Sequence, residues 1–241
     1  MVELLAASRE PRGVTDIART LGISKPRVHR HLRALVDRGY ARQDPITERY
    51  EVGIKVLALG EDVRDRFDVA TAARPVMGRL RDVTTQTVTI AALVERQVVV
   101  LDLLRGATFD FGLRSGSVLG FHSSAHGLLA LAFGPPGLLE ATVSRPLEAP
   151  ANQAELSPEA LRCRIDQIRE QGWATAADQV LVGVNALAAP VFDHRGVLRG
   201  SIAIVGLTQF IPEAPEGKLI EAVLSAAREA SEHLGWRGSP P

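Results

Sequence analysis

Thiols and aromatic rings are scarce in this 241-residue chain, which has one cysteine, Cys163, and only 5% Phe, Trp and Tyr. A lone thiol excludes an internal disulfide framework and any metal site built from several thiolates. Cys163 has no base beside it in sequence and reads as a packing residue of a helix over 158–171. Long apolar runs are missing as well. No stretch approaches the ~20 residues that a membrane-spanning helix needs, and the opening MVELLAASREP lacks the apolar core of a signal peptide. There is no G-x-S-x-G elbow, no phosphate-binding glycine loop and no paired-carboxylate motif. These absences describe a cytoplasmic protein with no membrane partner, no expected cofactor and no visible catalytic machinery.

What is present is a hidden charge asymmetry. The formal net charge is zero, yet residues 1–60 carry eleven Lys and Arg against seven acids. From Arg19 to Arg42 there are seven basic residues and one acid, Asp37. A basic head on a mildly acidic body fits a polyanion-binding domain joined to something else.

Helical phase sharpens this. In ISKPRVHRHLRALVDRGYAR, residues 23–42, Val28, Leu32 and Leu35 share one stripe. Arg27, His29, Arg30 and Arg33 fall on the other side or its flanks, with Lys25 in the first turn. Ser24 is placed to cap this helix, Pro26 sits where a missing N–H is harmless, and Gly39 is placed to stop it. A preceding helix buries Val14, Ile17, Ala18 and Leu21, with Gly13 and Asp16 forming a weak capping box. Gly22-Ile23-Ser24 is the tight turn between the two, a helix-turn-helix spacing. Residues 40–42 and 49–52 read as two short strands, the wing, from which Arg42 and Arg49 face DNA phosphates. The DNA-binding set is therefore Ser24, Lys25, Arg27, His29, Arg30, Arg33, Arg42 and Arg49, and the partner is double-stranded DNA.

The body follows a different pattern. Residues 54–84 are helical in period, with Leu57, Leu59, Val63 and Phe67 apolar and Pro75 as an interruption. The reading is a linker helix to about residue 70 and a second helix from Ala72 to Val83. Residues 86–104 form a hairpin around Glu95-Arg96-Gln97, and Phe109 to Leu113 a further strand. Helices are expected over Ser123–Phe133, from Pro158 to about Gly172, and from Pro215 to Leu234. A second hairpin, Leu187–Phe192 with Val197–Val205, turns at Asp193–Gly196. The sum is an α+β chain, with an antiparallel sheet flanked by helices. His122 and His126 have the i, i+4 spacing of a metal pair, but no third ligand lies near in sequence. No metal is expected, and the pair is assigned to capping or ligand contact.

The order and spacing of these segments resemble the IclR family of bacterial transcription regulators over nearly the whole chain. The resemblance rests on DIARTLGISKPRVHRHLRALVDRGYARQDPITERYEVGIKVLALG in the head. In the body it rests on AARPVMGRLRDVT, RSGSVLGFHSSAHGLLALAF and EQGWATAADQVLVGVNALAAPVFDHRGVLRGSIAIVG. It implies an N-terminal winged helix-turn-helix over 1–55, a linker helix over 56–71 and a GAF-like effector-binding domain over 72–241. It further implies a homodimer or homotetramer on palindromic operators, tuned by a small-molecule effector. Family members have more residues ahead of the first helix than Met1-Val2-Glu3, so that helix, roughly Val2 to Arg9, is expected to be short.

By the same resemblance the backbone amides of Ala125 and His126, in FHSSAHG, hold an effector carboxylate, with His122, Ser123 and Ser124 leading into them and Asp178 nearby. Four polar family positions are apolar here: Ala176, Ala186, Ala203 and Val205. Leu119 and Val184 line the apolar part. This set predicts a largely apolar or aromatic effector with at most one anionic end. The alternative is a small-molecule binding or enzymatic domain whose winged helix mediates protein contacts. Salt-dependent binding to duplex DNA through Arg27, Arg30 and Arg33 separates the two.

Overall fold

The computed structural model describes residues 1–64, 68–107, 111–147 and 156–238, with 61–64 and 68 as backbone only. It divides into two compact units, Met1–Arg66 and Phe67–Pro241.

The first unit opens with α1 (Val2–Ala7), α2 (Val14–Leu21) and α3 (Lys25–Asp37). The wing follows as β1 (Ala41–Gln43) and β2 (Tyr50–Val52), paired antiparallel, and then α4 (Lys55–Arg64). Its core is Leu5, Ile17, Val28, Leu32, Ala41 and Tyr50, each buried. Val28 and Leu32 are one helical turn apart, so α3 offers the core a single narrow stripe and leaves its other sides to solvent. Leu35 is only half-buried, and Leu21, expected inside, is 36% exposed at the last position of α2. Gly39 ends α3 in the left-handed region (φ +77°), with Tyr40 N donating to Leu35 O (2.8 Å) and Gly39 N to Val36 O (2.9 Å). This is the Schellman arrangement that places glycine after the last turn. Ser24 and Gly13 occupy the N-cap positions, but neither makes a side-chain cap. Asp16 pairs with Arg12 and Arg19 instead of closing a capping box.

The second unit begins with α5 (Asp68–Thr84), earlier than the expected Ala72 and with Pro75 inside it. Pro75 and Thr71 are both exposed, so water can serve the Thr71 carbonyl that the proline leaves unbonded. Val63 and Phe67, expected on a linker face, lie outside the residues whose side chains are described.

Six strands follow in the spatial order β5-β4-β3-β8-β7-β6, all antiparallel. They are β3 (Thr87–Val94), β4 (Gln97–Leu104), β5 (Val118–Leu119), β6 (Ala174–Thr175), β7 (Val184–Phe192) and β8 (Leu198–Leu207). Glu95 and Arg96, both at positive φ, make the two-residue turn between β3 and β4. Residues 111–113 form no strand, while Phe109 and Asp110 lie outside the described residues. The two-residue strands β5 and β6 are too short for a periodic signal.

The helices are α6 (Ala125–Phe133), α7 (Leu138–Val143), α8 (Pro158–Gln171) and α9 (Gly217–His233). The short α7 is additional to the expected set. Cys163 is exposed on α8 and not packed inside it.

Strand alternation splits the sheet into two unlike faces. Val88, Ile90, Leu187, Val191, Ile202 and Ile204 pack under α5 and α9. Ala91, Ala188 and Ala203 face the layer of α6 and α8. Large aliphatic side chains fill one face. On the other, small ones leave room for α6 and for a cavity.

Candidate functional site

In the first unit the exposed sides of α3 carry Lys25, Arg27, His29, Arg30 and Arg33, all exposed, with Ser24 at the N-cap. Among the described residues none of these side chains is in an ion pair. The wing arginines are engaged. The Arg42 Nε donates to Glu51 Oε1 across the hairpin (2.6 Å), where the two residues stand opposite each other. Arg49 leans back to donate to Pro11 O (3.4 Å). An open cleft beside it is walled by Arg9, Arg12, Arg19 and Arg49. Hydrogen bonds from Arg12 and then Arg19 hold the Asp16 carboxyl below its ordinary range, so two of these guanidiniums are partly neutralised. Arg12 and Arg19 as cleft walls were legible only as part of the charge excess.

In the second unit the α6 face of the sheet encloses a small cavity of about 80 Å³ that opens to solvent at its mouth. The structure brings Leu119, Ser124, Ala125, His126, Ala176, Val184, Ala186 and Val205 to its wall. Four expected residues are not there. Ala203 is fully buried in the layer against α6 and α8. Asp178, itself at positive φ, turns inward on its loop to accept from Gly183 N (2.6 Å). His122 and Ser123 precede α6 on the turn at 121–123 and do not share a helical face with His126.

Further walls were missed. Thr89 and Val100 come from β3 and β4, and Phe111 and Leu113 from the loop after β4. Val180 and Leu181 come from an apolar run in the loop between Asp178 and Gly183. Three consecutive apolar residues in a loop were the available signal. Asn185 is the remaining one. Its Oδ1 accepts from Ala176 N (3.1 Å) and its Nδ2 donates to Ile211 O (3.1 Å) and Pro212 O (2.9 Å), so it ties loops to β7.

Among the described residues no Arg, Lys, Asp or Glu lines this cavity. Each of its polar side chains has a hydrogen-bond partner within the protein. Ser124 caps α6, accepting from Gly127 N (2.9 Å) and donating to Gly120 O (2.7 Å). That cap leaves the first-turn amides of Ala125 and His126 without intrahelical acceptors. The helix can approach residues 120 and 121 this closely because residue 127 is glycine. A Cβ there would lie 2.1 Å from Gly120 O. The His126 ring is held at both nitrogens, Nε2 by Thr89 Oγ1 (2.8 Å) and Nδ1 by Ser201 Oγ (2.7 Å). Burial pushes its pKa down to about 4, so the ring is neutral near pH 7. Both nitrogens are thus occupied by hydroxyls, and among the described residues no group of three His, Cys, Asp or Glu is arranged to hold a metal. Nor is any described helix long and apolar enough to cross a membrane.

Comparison with known proteins places both units. The family model described as "Bacterial transcriptional regulator IclR C-terminal" matches residues 62–232, and "IclR helix-turn-helix domain" matches residues 1–45. The glycerol operon regulatory protein of Streptomyces griseus is 30% identical over 98% of this chain and 93% of its own length. The HTH-type transcriptional regulator BhcR of Paracoccus denitrificans is 31% identical, covering 90% of this chain and 79% of that protein. Among solved structures, an IclR homolog from Microbacterium hydrocarbonoxydans complexed with 4-hydroxybenzoate shares the fold. It has a TM-score of 0.83 and 23% identity, over 97% of this chain and 95% of that one.

Proposed function

Because the chain belongs to the IclR family, it is a DNA-binding transcription regulator and not an enzyme, and we propose that it reads a palindromic operator as a homodimer or homotetramer under the control of a largely apolar or aromatic monoacid. The observation that carries the effector reading is the cavity on the α6 face. It opens at the start of α6, its walls are apolar, and among the described residues no charged side chain lines it. A highly polar two- or three-carbon oxoacid would leave its own groups unpaired there, at about 1–3 kcal/mol for each neutral hydrogen-bonding group. One carboxylate is different, because the amides of Ala125 and His126 can receive it at the start of α6. The 4-hydroxybenzoate bound by the Microbacterium protein is a compound of this kind.

On DNA, the exposed face of α3 supports Arg27, Arg30 and Arg33 as groove-reading residues, with Ser24, Lys25 and His29 beside them. Arg42 and Arg49 on the wing serve phosphates, and Arg42 exchanges its Glu51 partner for one. One winged helix buries little DNA, and two half-sites need two copies. The exposed Ile54, Leu57 and Leu59 at and beside α4 favour self-association. The division between Arg66 and Phe67 falls inside the proposed linker, 56–71, between a DNA-binding part over 1–55 and an effector part over 72–241. The protein acts in the cytoplasm.

The test is footprinting on DNA upstream of the neighbouring genes, with and without benzoate, 4-hydroxybenzoate, phenylacetate and hexanoate, alongside a thermal-shift screen of the same acids. Protection of a two-fold symmetric site that one of these acids alters is the expected result. Thermal stabilisation by glyoxylate or pyruvate but by none of the four acids overturns the effector reading.

A further inference from the structure

The cavity wall contains a hydrogen-bond chain whose direction the packing decides. Ser201 Oγ lies 2.7 Å from Nδ1 of His126, and Thr89 Oγ1 lies 2.8 Å from Nε2. The ring is neutral, so it carries one proton and presents one donor and one acceptor. Two arrangements satisfy it. In the first, Thr89 donates to Nε2, Nδ1–H donates to Ser201, and the Ser201 hydroxyl hydrogen is left over. In the second, Ser201 donates to Nδ1, Nε2–H donates to Thr89, and the Thr89 hydroxyl hydrogen is left over. Among the described residues neither hydroxyl has a further partner.

The two leftover hydrogens differ in their surroundings. Both hydroxyls are nearly fully buried, Ser201 at 4% exposed, but Ser201 does not line the cavity, so its spare hydrogen would face packed neighbours and no ligand. Thr89 is 1% exposed to solvent but forms part of the cavity wall, where an occupant can meet its hydrogen. A donor with no acceptor in packed protein loses its hydration outright, so the second arrangement is favoured. It runs Ser201 to His126 to Thr89 and ends at the cavity.

We propose that Thr89 reads the polar end of the effector, its hydroxyl hydrogen aimed by Ser201 and His126 at an oxygen acceptor of the ligand. This rests on the reading of the cavity as the effector site. Thr89 is bonded to the residue whose own amide opens α6, so the hydroxyl and the first-turn amides can converge on one carboxylate. The site then holds an anion with neutral donors alone. It also discriminates: a carboxylate or carbonyl oxygen takes the Thr89 hydrogen, whereas a ligand that can only donate, such as a benzylammonium ion, leaves that hydrogen unused and brings its charge into a cavity with no carboxylate among its described walls.

The experiment is calorimetric titration of the intact protein with benzoate, 4-hydroxybenzoate, phenylacetate, hexanoate and benzylammonium. Wild type should bind at least one of the acids and not benzylammonium. For that acid, Thr89→Val, which keeps the shape and removes the hydroxyl, should weaken binding about tenfold or more, and Thr89→Ser should restore it to within about threefold. Binding of an acid that Thr89→Val leaves unchanged overturns the assignment of Thr89 while the effector reading stands. So does binding of benzylammonium. If wild type binds none of the four acids, the effector reading falls and this one with it. A second measurement needs no variant. Nitrogen-15 shifts of the His126 ring in the unliganded protein should show the proton on Nε2, and a proton on Nδ1 overturns the proposed direction.

Discussion

Acidification should weaken the effector-binding unit through one residue, His126. Its native pKa is about 4, against an ordinary value of 6.5, and the cause is burial. Because the native value lies below the unfolded one, the unfolded chain takes up the proton first as pH falls. The contribution is fully present above pH 6.5 and is withdrawn between pH 6.5 and pH 4. At pH 5 the unfolded imidazole is almost fully protonated and the native one almost fully neutral, which amounts to about 2 kcal/mol of lost stability relative to pH 7.5. That is a large share of the roughly 5–15 kcal/mol typical of a domain. Both tryptophans of the chain, Trp173 and Trp236, lie in the unit that contains His126. Urea unfolding followed by tryptophan fluorescence at pH 7.5 and pH 5 therefore reports on that unit. The comparison is with His126→Gln, which keeps a donor and an acceptor but does not titrate. Other titrating groups are common to both proteins, so the difference between their pH dependences isolates His126. Wild type should lose about 2 kcal/mol more than the variant over this interval. Equal losses in the two proteins would refute the argument, as would an imidazole resonance of His126 that titrates near 6.5.

Three further outcomes are expected. Arg30→Ala should weaken operator binding by about 1–3 kcal/mol and relax base preference at one position per half-site, measured by fluorescence anisotropy at fixed salt against operator and scrambled duplexes. Arg49→Ala should weaken all duplexes about equally and lower the salt slope by about 1; a loss confined to the operator would mean that Arg49 reads bases. Gly127→Ala puts a methyl group against the backbone at Gly120 and Phe121 and should cost about 2 kcal/mol or more, seen as a lowered Tm.

The helix-turn-helix was legible because its signals are local and redundant. The Val28–Leu32 stripe, the turn at Gly22–Ser24 and the stop at Gly39 each act within one or two turns of chain. The hairpins at Glu95-Arg96 and Asp193–Gly196 were legible for the same reason. The cavity was only half legible. Ala125, His126, Val184 and Val205 came from resemblance, and each reaches the wall. Thr89 did not come, because its role depends on two side chains that pairing delivers from elsewhere: β3 lies beside β8, which carries Ser201, and α6 crosses that face with His126. No spacing along the chain encodes that meeting. Ala203 was misplaced because resemblance fixes a strand position but not whether an alanine there reaches past its neighbours into an open space.

The unequal faces of the six-stranded sheet separate two evolutionary burdens. Under α5 and α9, residues such as Ile90, Leu187 and Ile202 interlock, and enlarging or trimming any of them disturbs the scaffold. On the opposite face, Ala186 and Val205 also border the cavity. Adding a methyl or two there reshapes the chamber while leaving the interlocked side alone. On the proposed effector reading, a lineage carrying this architecture can change what it senses by small steps on one side of a single sheet, with the proposed operator-reading residues encoded elsewhere in the chain and free to diverge on their own schedule.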